Sequence, residues 1–182
     1  MKKIPTVYLR DETDRAHVTD EPNPDCLWVF AGEGVPTRKY DGVCTMFDGE
    51  HWWARREVKP DKTPPPGFQP EQRDEVTGKT VGWEPIGQSG FAKYHAEALH
   101  NDPPEFWQTG TYEMYGPRIN GNPERAERHD LIPHGNAERL VDDFGVDSPM
   151  AMVRLSGALG WEGIVWHHKD GRMAKLKVRD LR

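Results

Sequence analysis

The chain has 182 residues, of which 35% are hydrophobic and 30% charged, and its formal net charge is −6. This length accommodates one domain with a real core and excludes two large independent domains. No apolar run is long enough to span a bilayer, residues 1–5 do not resemble a signal peptide, and two cysteines exclude a disulfide framework or a zinc quartet. We therefore expect a cytoplasmic protein with no membrane partner.

Short β-strands dominate the predicted secondary structure. In chain order, apolar runs bounded by Gly, Pro, Asp or Asn predict strands at 27–30, 43–47, 51–54, 110–115, 163–166 and 173–178. Asp48-Gly49 and Asp170-Gly171 predict tight hairpin turns between the strands that they separate. The Pro- and Gly-rich segment 59–90 predicts an ordered loop or flap.

Helical signals are fewer. Ser148-Pro149 supplies an N-cap and a proline at the first helical position, and apolar residues then recur at helical spacing from 150 to 159. Residues 91–100 and 136–144 are weaker helix candidates. The fold class that follows is α+β, with twisted antiparallel sheets and helices packed on them, in a single domain over residues 1–182.

Positive charge is concentrated near the C-terminal end. Residues 1–37 carry four basic and seven acidic side chains, whereas residues 163–182 carry six basic and two acidic ones. A segment of this kind is either a solvated surface or a groove that binds phosphates, and the charge distribution leaves both interpretations open.

The first candidate for chemistry is Lys39, in the sequence Lys39-Tyr40-Asp41-Gly42 directly before a predicted strand. A lysine amine is a poor nucleophile near neutral pH, but neighbouring cations or a metal favour the neutral form that attacks phosphorus. Taken alone, the tetrapeptide is equally typical of a surface lysine before a turn.

The second candidate is Glu113, a carboxylate inside the otherwise apolar strand 110–115. A glutamate in such a strand requires hydrogen-bond donors or a cation, and a ribose hydroxyl or a metal-bound water satisfies it. The alternative is a glutamate on the exposed face of an edge strand.

The third and fourth candidates lie near the C-terminal end, in Trp161-Glu162-Gly163 and in the strand that holds Lys175 and Lys177. A period of two places both lysines on one face of that strand. Two ammonium groups side by side repel each other, so a triphosphate between them is one interpretation and a solvated cationic face is the other.

Taken in order, K-x-D-G, E-x-x-G, E-G-I-V and K-x-K resemble motifs I, III, IV and V of the covalent nucleotidyltransferases, the superfamily of polynucleotide ligases and mRNA capping enzymes. The resemblance extends over residues 36–178 and implies an ATP-grasp-like nucleotidyltransferase (adenylation) domain without an OB-fold domain. The segment 113–117 resembles motif III of RNA ligases more than that of DNA ligases. The segments 56–59, 64–68 and 131–135 are similar to the compact 5′-to-3′ RNA ligase 1 family, which favours RNA.

The resemblance also implies roles for single residues. Lys39 is the nucleophile that becomes adenylylated, and Lys175 and Lys177 contact the α-phosphate. Glu162 organises the catalytic metal. Asp41 and Gly42 shape the lysine loop.

Glu113 corresponds to the acid at the nucleoside ribose and is a second candidate metal ligand. Arg55 or Arg56 corresponds to an arginine that holds phosphate. Two departures from the family pattern are Arg38, where several RNA ligases carry Glu, and the segment 130–135, which stands where many members have an aromatic residue that stacks on the purine.

The implied function is that of an ATP-dependent RNA ligase that joins 5′-phosphate and 3′-hydroxyl ends. Its cofactors are ATP, with AMP carried covalently on Lys39, and Mg²⁺, with Mn²⁺ as an alternative. The same motifs allow three other interpretations: an ATP-dependent DNA nick ligase, a GTP-using capping guanylyltransferase or a non-catalytic nucleic-acid-binding module. The oligomeric state does not follow from the sequence.

Histidines and tryptophans supply further candidates. Adjacent strand residues point to opposite faces, so His167 and His168 are expected to be structural rather than ligands of one ion. We expect one or two tryptophans at most to stack on bases and the others to fill cores. The candidates are Trp52, Trp53, Trp83, Trp107 and Trp161.

Overall fold

The computed structural model describes residues 2–101, 107–140 and 148–182. In chain order, the elements of these residues are β1 (Tyr8–Arg10), β2 (Val18–Pro22), α1 (Leu27–Phe30), β3 (Gly34–Lys39), β4 (Val43–Phe47), β5 (Trp52–Val58), β6 (Gln69–Arg73), β7 (Thr80–Pro85), α2 (Ala92–Asn101), β8 (Gly110–Tyr115), β9 (Asp130–Pro133), α3 (Pro149–Ala158), β10 (Gly163–His168) and β11 (Met173–Lys177). The prediction of an α+β protein with mostly antiparallel sheets is confirmed.

The chain divides into two compact units. The six-stranded unit comprises Met1–Lys3 and Asp41–Asn136, and the three-stranded unit comprises Ile4–Tyr40 and Ala137–Arg182. A single nucleotidyltransferase domain over residues 1–182 stays a prediction.

The six-stranded unit is built on one antiparallel sheet with the strand order β6-β7-β5-β4-β8-β9. Helix α2 packs beside β9. Tyr112 and Met114 of β8 are almost fully buried in the core, together with Ala98 of α2. Because side chains alternate along a strand, residues 111 and 113 of β8 lie on the opposite face of the sheet.

The three-stranded unit contains the antiparallel sheet β11-β10-β3 and the hairpin β1-β2. Ser148 caps α3 by accepting a hydrogen bond from the Ala151 N–H, as the sequence predicts. The helix packs against β10 and β11, where Ile164 and Leu176 are fully buried. Lys175 and Lys177 alternate with the buried residues of β11 and lie on the face of the sheet away from α3.

The prediction of a strand at 27–30 is wrong. Asn23 accepts a hydrogen bond from the Asp25 N–H and Pro24 begins a 3₁₀ turn, which leads directly into α1. Trp28 and Val29 are buried side by side while Leu27 is 56% exposed. A strand would have placed two consecutive residues on opposite faces, whereas one helical turn buries both.

The prediction of a loop or flap at 59–90 is also wrong, because β6 and β7 form an antiparallel hairpin there. Strand β6 is polar and exposed, contains Pro70 and has an irregular register between Pro70 and Gln72. Those are features of an edge strand, where a missing N–H is tolerated. Because β6 has no alternation of apolar and polar residues, the sequence pattern did not predict it as a strand.

Other local predictions have mixed outcomes. Both predicted hairpins are present, as β4-β5 and β10-β11, and the helix at 91–100 is α2. The candidate helix at 136–144 lies partly outside the described residues, and residues 137–140 are not helical. None of the helices in the described ranges is long and apolar enough to cross a membrane.

Candidate functional site

Lys39 and Lys177 are brought together by the register of the three-stranded sheet. Gly163 of β10 pairs with Lys39 on one side and with Lys177 on the other. The two lysines therefore lie at matching positions on the outer strands of the sheet. A β-carbon at Gly163 would collide with the Leu176 carbonyl oxygen, so this close pairing of β10 with β11 requires a glycine.

Glu162 lies between the two ammonium groups. Lys39 Nζ is 2.6 Å from Glu162 Oε2, and Lys177 Nζ is 2.5 Å from Glu162 Oε1. The Glu162 side chain is only 7% exposed, so it is a nearly buried carboxylate with one ammonium group on each oxygen. We call these three residues the Lys39 cluster.

The charge state of Glu162 is decided by a competition. Burial of the carboxylate raises its pKa, but the positive charges and hydrogen bonds of Lys39 and Lys177 outweigh burial and hold the pKa below its ordinary value. Glu162 is therefore ionised at neutral pH. The sequence assigned Glu162 to the catalytic metal and did not predict that this carboxylate pairs directly with the Lys39 amine.

Further cations lie beside the Lys39 cluster. A guanidinium nitrogen of the exposed Arg179 lies 3.7 Å from Glu162 Oε1. Lys175 is two residues from Lys177 and pairs with Val165, so both lysines lie on the same face of β11, as the period of two predicts. The cluster and its surroundings carry more positive than negative charge.

Arg38, noted in the sequence as a departure, packs between aromatic rings. Its guanidinium carbon lies 4.4 Å from the centre of the Tyr40 ring and 5.7 Å from that of Trp161. It also pairs with Glu138 at 3.4 Å. Trp161 is 8% exposed, so its ring fills space beside Arg38 rather than presenting an open stacking surface.

In the six-stranded unit, Glu113 lies on an interior strand and not on an exposed edge. It pairs with Cys44 of β4 on one side and with Ile132 of β9 on the other. The residue is 9% exposed. A carboxylate that is this buried needs polar partners.

Both oxygens of Glu113 have partners. The Gly42 N–H donates to Oε1 at 3.1 Å, and His134 Nε2 lies 2.9 Å from Oε2. The other ring nitrogen of His134 lies 2.9 Å from the hydroxyl oxygen of Thr111. Cys44, Glu113 and His134 each have one potential ligand atom, and these atoms lie within 4.8 Å of one another. We call these three residues the Glu113 cluster.

Asp41 and Gly42 directly precede β4 and are held by hydrogen bonds and close packing. The Asp41 N–H donates to Glu124, and Asn120 donates to the Asp41 carboxylate and to the Gly42 carbonyl. A side chain at Gly42 would collide with the carbonyl oxygen of Met114 on the neighbouring strand. This close approach is the physical reason for a glycine at position 42.

The register separates the two arginine candidates. Arg55 and Arg56 are adjacent in β5, so they lie on opposite faces of the sheet. Arg56 is near Glu84, at 3.9 Å. The pairing of Thr45 with Ala54 places Arg55 on the face that carries Cys44 and Glu113, and the Arg55 Nε is buried without a hydrogen-bond partner.

No family model matches this chain, and no curated protein shows a match. The two clusters must therefore be interpreted from their own chemistry.

The structural roles expected of the adjacent histidines agree with their contacts. His167 Nε2 lies 3.1 Å from the Thr37 hydroxyl, whereas His168 lies between Glu33 and Asp170. Among the tryptophans, Trp52 packs against Phe47 and His95 beside the core, and Trp83 is 3% exposed and donates to Glu71.

Sequence reasoning missed Cys44 and His134 as members of a polar cluster. The sequence marks residues 130–135 as a departure from one family pattern and residues 131–135 as a likeness to another, but it does not indicate His134 as a ligand. Strand alternation places Cys44 and Glu113 each on one face of its own strand. Only the pairing of β4 with β8, and of β8 with β9, shows that these faces are the same.

Proposed function

We propose that this protein is an ATP-dependent RNA ligase that uses Lys39 as its nucleophile. The observation that carries the proposal is the Lys39 cluster. Its residues follow the order of the K-x-D-G, E-G-I-V and K-x-K motifs, and Lys39 and Lys177 each lie within ion-pair distance of Glu162. The proposed chemistry gives a common purpose to two lysines that converge on one nearly buried carboxylate.

In the reaction, the lone pair of Lys39 Nζ forms a bond to the α-phosphorus of ATP, and the bond to the departing pyrophosphate breaks. The ammonium must first lose its proton. Glu162 stabilises the charged form of Lys39 while their ion pair is closed, so the amine becomes reactive as this pair opens. Lys177 and Lys175 then stabilise negative charge on the phosphate oxygens.

The donor set is compatible with Mg²⁺. This ion prefers oxygen ligands and is commonly held by one or two carboxylates together with substrate phosphates. Glu162 is the carboxylate of the Lys39 cluster that would hold it, and Mn²⁺ is the alternative ion. When bound, the ion would offset charge on the nucleotide phosphates.

The two later steps follow the resemblance. AMP passes from Lys39 to a 5′-phosphate end, and a 3′-hydroxyl then displaces AMP to join the strands. For Glu113, Arg55 and Asp41, the roles at the ribose, the phosphate and the lysine loop stay predictions. The preference for RNA rests on the finer likeness of residues 113–117 and 131–135.

The test is covalent labelling of the full chain with α-labelled ATP and, separately, GTP. We expect an ATP adduct in the wild type and none in Lys39→Ala or Lys39→Arg, because arginine keeps the positive charge but does not lose its proton to act as a nucleophile. Lys177→Ala should label about 10²-fold more slowly. Lys93→Ala is the matched control, since Lys93 is an 80% exposed lysine on α2.

A wild-type adduct that persists in Lys39→Ala refutes the proposal, as does a folded wild type without any adduct. Labelling by GTP instead of ATP would favour a capping guanylyltransferase. Supplying 5′-phosphorylated RNA and DNA ends to the labelled protein then separates an RNA ligase from a DNA nick ligase.

A further inference from the structure

The Glu113 cluster combines three side chains of a kind that bind a thiophilic divalent metal. Cys44 offers a sulfur, His134 a ring nitrogen and Glu113 a carboxylate oxygen, all within 4.8 Å of one another. Magnesium and calcium prefer oxygen ligands alone, whereas a sulfur, nitrogen and oxygen set is typical of Zn²⁺. The chemistry of these residues therefore differs from that of a magnesium site.

The backbone holds the three groups on one face of the sheet. Cys44 and Glu113 are direct cross-strand partners, and His134 follows β9, whose Ile132 pairs with Glu113 on its other side. Cross-strand neighbours have β-carbons about 5 Å apart, so their side-chain ends converge without rearrangement of the sheet. His134 begins a 3₁₀ turn after the strand.

The distances are close to those that a metal requires. Zn²⁺ lies about 2.0–2.3 Å from nitrogen, oxygen and sulfur ligands, which places tetrahedral ligand atoms roughly 3.4–3.7 Å apart. The His134 Nε2 to Glu113 Oε2 distance is 2.9 Å and the largest separation among the three atoms is at most 4.8 Å. A separation of 2.9 Å is shorter than this range and one of up to 4.8 Å is longer, so binding would require the side chains to shift by about 1 Å.

His134 is already oriented for metal binding by its second nitrogen. Its Nδ1 lies 2.9 Å from the Thr111 hydroxyl oxygen. Without a metal, the 2.9 Å contact between Nε2 and the Glu113 carboxylate places the ring proton on Nε2. When a metal takes that position, the proton moves to Nδ1, which then donates to Thr111. A histidine ligand held by a hydrogen bond through its other nitrogen is the usual arrangement at protein metal sites.

Charge and access are also suitable. A thiolate and a carboxylate balance a divalent ion, and a neutral imidazole adds no charge, so the ion and its three ligands together would be close to neutral. Arg55 of β5, on the same face as Cys44, adds one positive charge nearby. Glu113 has an 11% exposed side chain and His134 a 27% exposed one, which leaves an approach from one side. Three protein ligands leave a fourth position for water or an external ligand.

We propose that Cys44, Glu113 and His134 form a binding site for Zn²⁺ or a similar thiophilic divalent cation. The site uses no residue of the Lys39 cluster, but it shares Glu113 with the proposed ligase, in which that residue is expected at the nucleoside ribose. Its formation releases the thiol proton, so binding should tighten as the pH rises through the neutral range.

The test is titration of the metal-depleted full chain with Co²⁺ as a spectroscopic probe. We expect one Co²⁺ per chain, with a sulfur-to-cobalt charge-transfer band and the visible bands of four-coordinate cobalt, and we expect Zn²⁺ to displace it. Cys44→Ser should remove the charge-transfer band, and His134→Gln should weaken binding at least tenfold. Lys39→Ala should bind Co²⁺ like the wild type.

Cys26→Ser is the matched control, because it removes the chain's other cysteine. Cys26 is fully buried in the three-stranded unit, and burial raises the pKa of its thiol to about 11. The Co²⁺ spectrum of the Cys26→Ser variant should equal that of the wild type. A wild type with no charge-transfer band, or a band that survives in Cys44→Ser, overturns the proposal. If Cys44→Ser does not fold, unchanged Co²⁺ affinity in His134→Gln overturns it equally.

Discussion

Glu162 and Glu113 are both nearly buried glutamates beside a glycine, but the two units satisfy them in opposite ways. In the three-stranded unit, Glu162 accepts from two lysine ammonium groups. In the six-stranded unit, Glu113 accepts from a backbone N–H and lies beside a histidine ring. The first carboxylate lies between two ammonium groups, and the second between a backbone N–H and an imidazole ring.

This difference indicates which kind of ligand each cluster can accept. When Glu162 is withdrawn from its partners, two lysines remain to bind an anion such as a phosphate. When His134 is withdrawn from Glu113, a carboxylate, an imidazole and a thiol remain to bind a cation. A buried glutamate by itself does not specify its ligand, because the charge of its neighbours decides it.

The largest effect is expected from Glu162→Ala. Without this carboxylate, Lys39 and Lys177 would be left as two partly buried like charges, which should lower the free energy of unfolding by about 4 kcal/mol. Glu113→Ala should cost only about 2 kcal/mol, since it leaves an unpaired N–H and a neutral ring. Urea denaturation at neutral pH measures both values.

Acidification sharpens the same contrast. Because the pKa of Glu162 is lowered on folding, its stabilisation is present above its ordinary value of 4.5 and is lost as the pH falls through the lower folded pKa. The stability difference between wild type and Glu162→Gln should therefore shrink below pH 4.5. The matched control is Glu138→Ala, a 57% exposed partner of Arg38 that should cost less than about 1 kcal/mol. An equal cost for both alanine variants would contradict the role given to Glu162.

A second pH-dependent change in stability is expected from His95 in the six-stranded unit. His95 is 2% exposed, and burial lowers its pKa from 6.5 to about 4. The unfolded chain therefore binds the proton first, and stability is lost as the pH falls from 6.5 towards 4, by about 3 kcal/mol in total. His95→Leu, compared with the wild type by urea denaturation across this range, should lack that loss. Parallel pH profiles of the two proteins would show that His95 does not titrate as a buried group.

The smallest effects concern the glycines beside the two carboxylates. A β-carbon at Gly163 would collide with the Leu176 carbonyl oxygen, and one at Gly42 with that of Met114. Each alanine substitution should therefore cost about 2 kcal/mol, because a neighbouring strand must shift. At Gly87 no atom lies within 4 Å of an added β-carbon, so Gly87→Ala should change stability by less than about 0.5 kcal/mol. Thermal or urea unfolding checks all three, and a Gly87→Ala cost equal to the others would contradict the steric explanation.

Local sequence patterns predicted much of the secondary structure. The strand at 110–115, both hairpin turns and the capped helix α3 each depend on residues that are close in the chain. The edge hairpin β6-β7 was missed because its exposed strand needs no apolar alternation. Helix α1 was mistaken for a strand because four apolar residues satisfy either geometry.

The sequence alone determined which residues are capable of chemistry, and it placed Lys175 and Lys177 on one strand face because a β-strand repeats every two residues. Tertiary structure alone decided their partners. Strand pairing brings Lys39 and Lys177 to either side of Gly163, and Cys44 and His134 to the face of Glu113. The Lys39–Glu162 contact joins residues 123 positions apart, and no local periodicity carries information about register between separate strands.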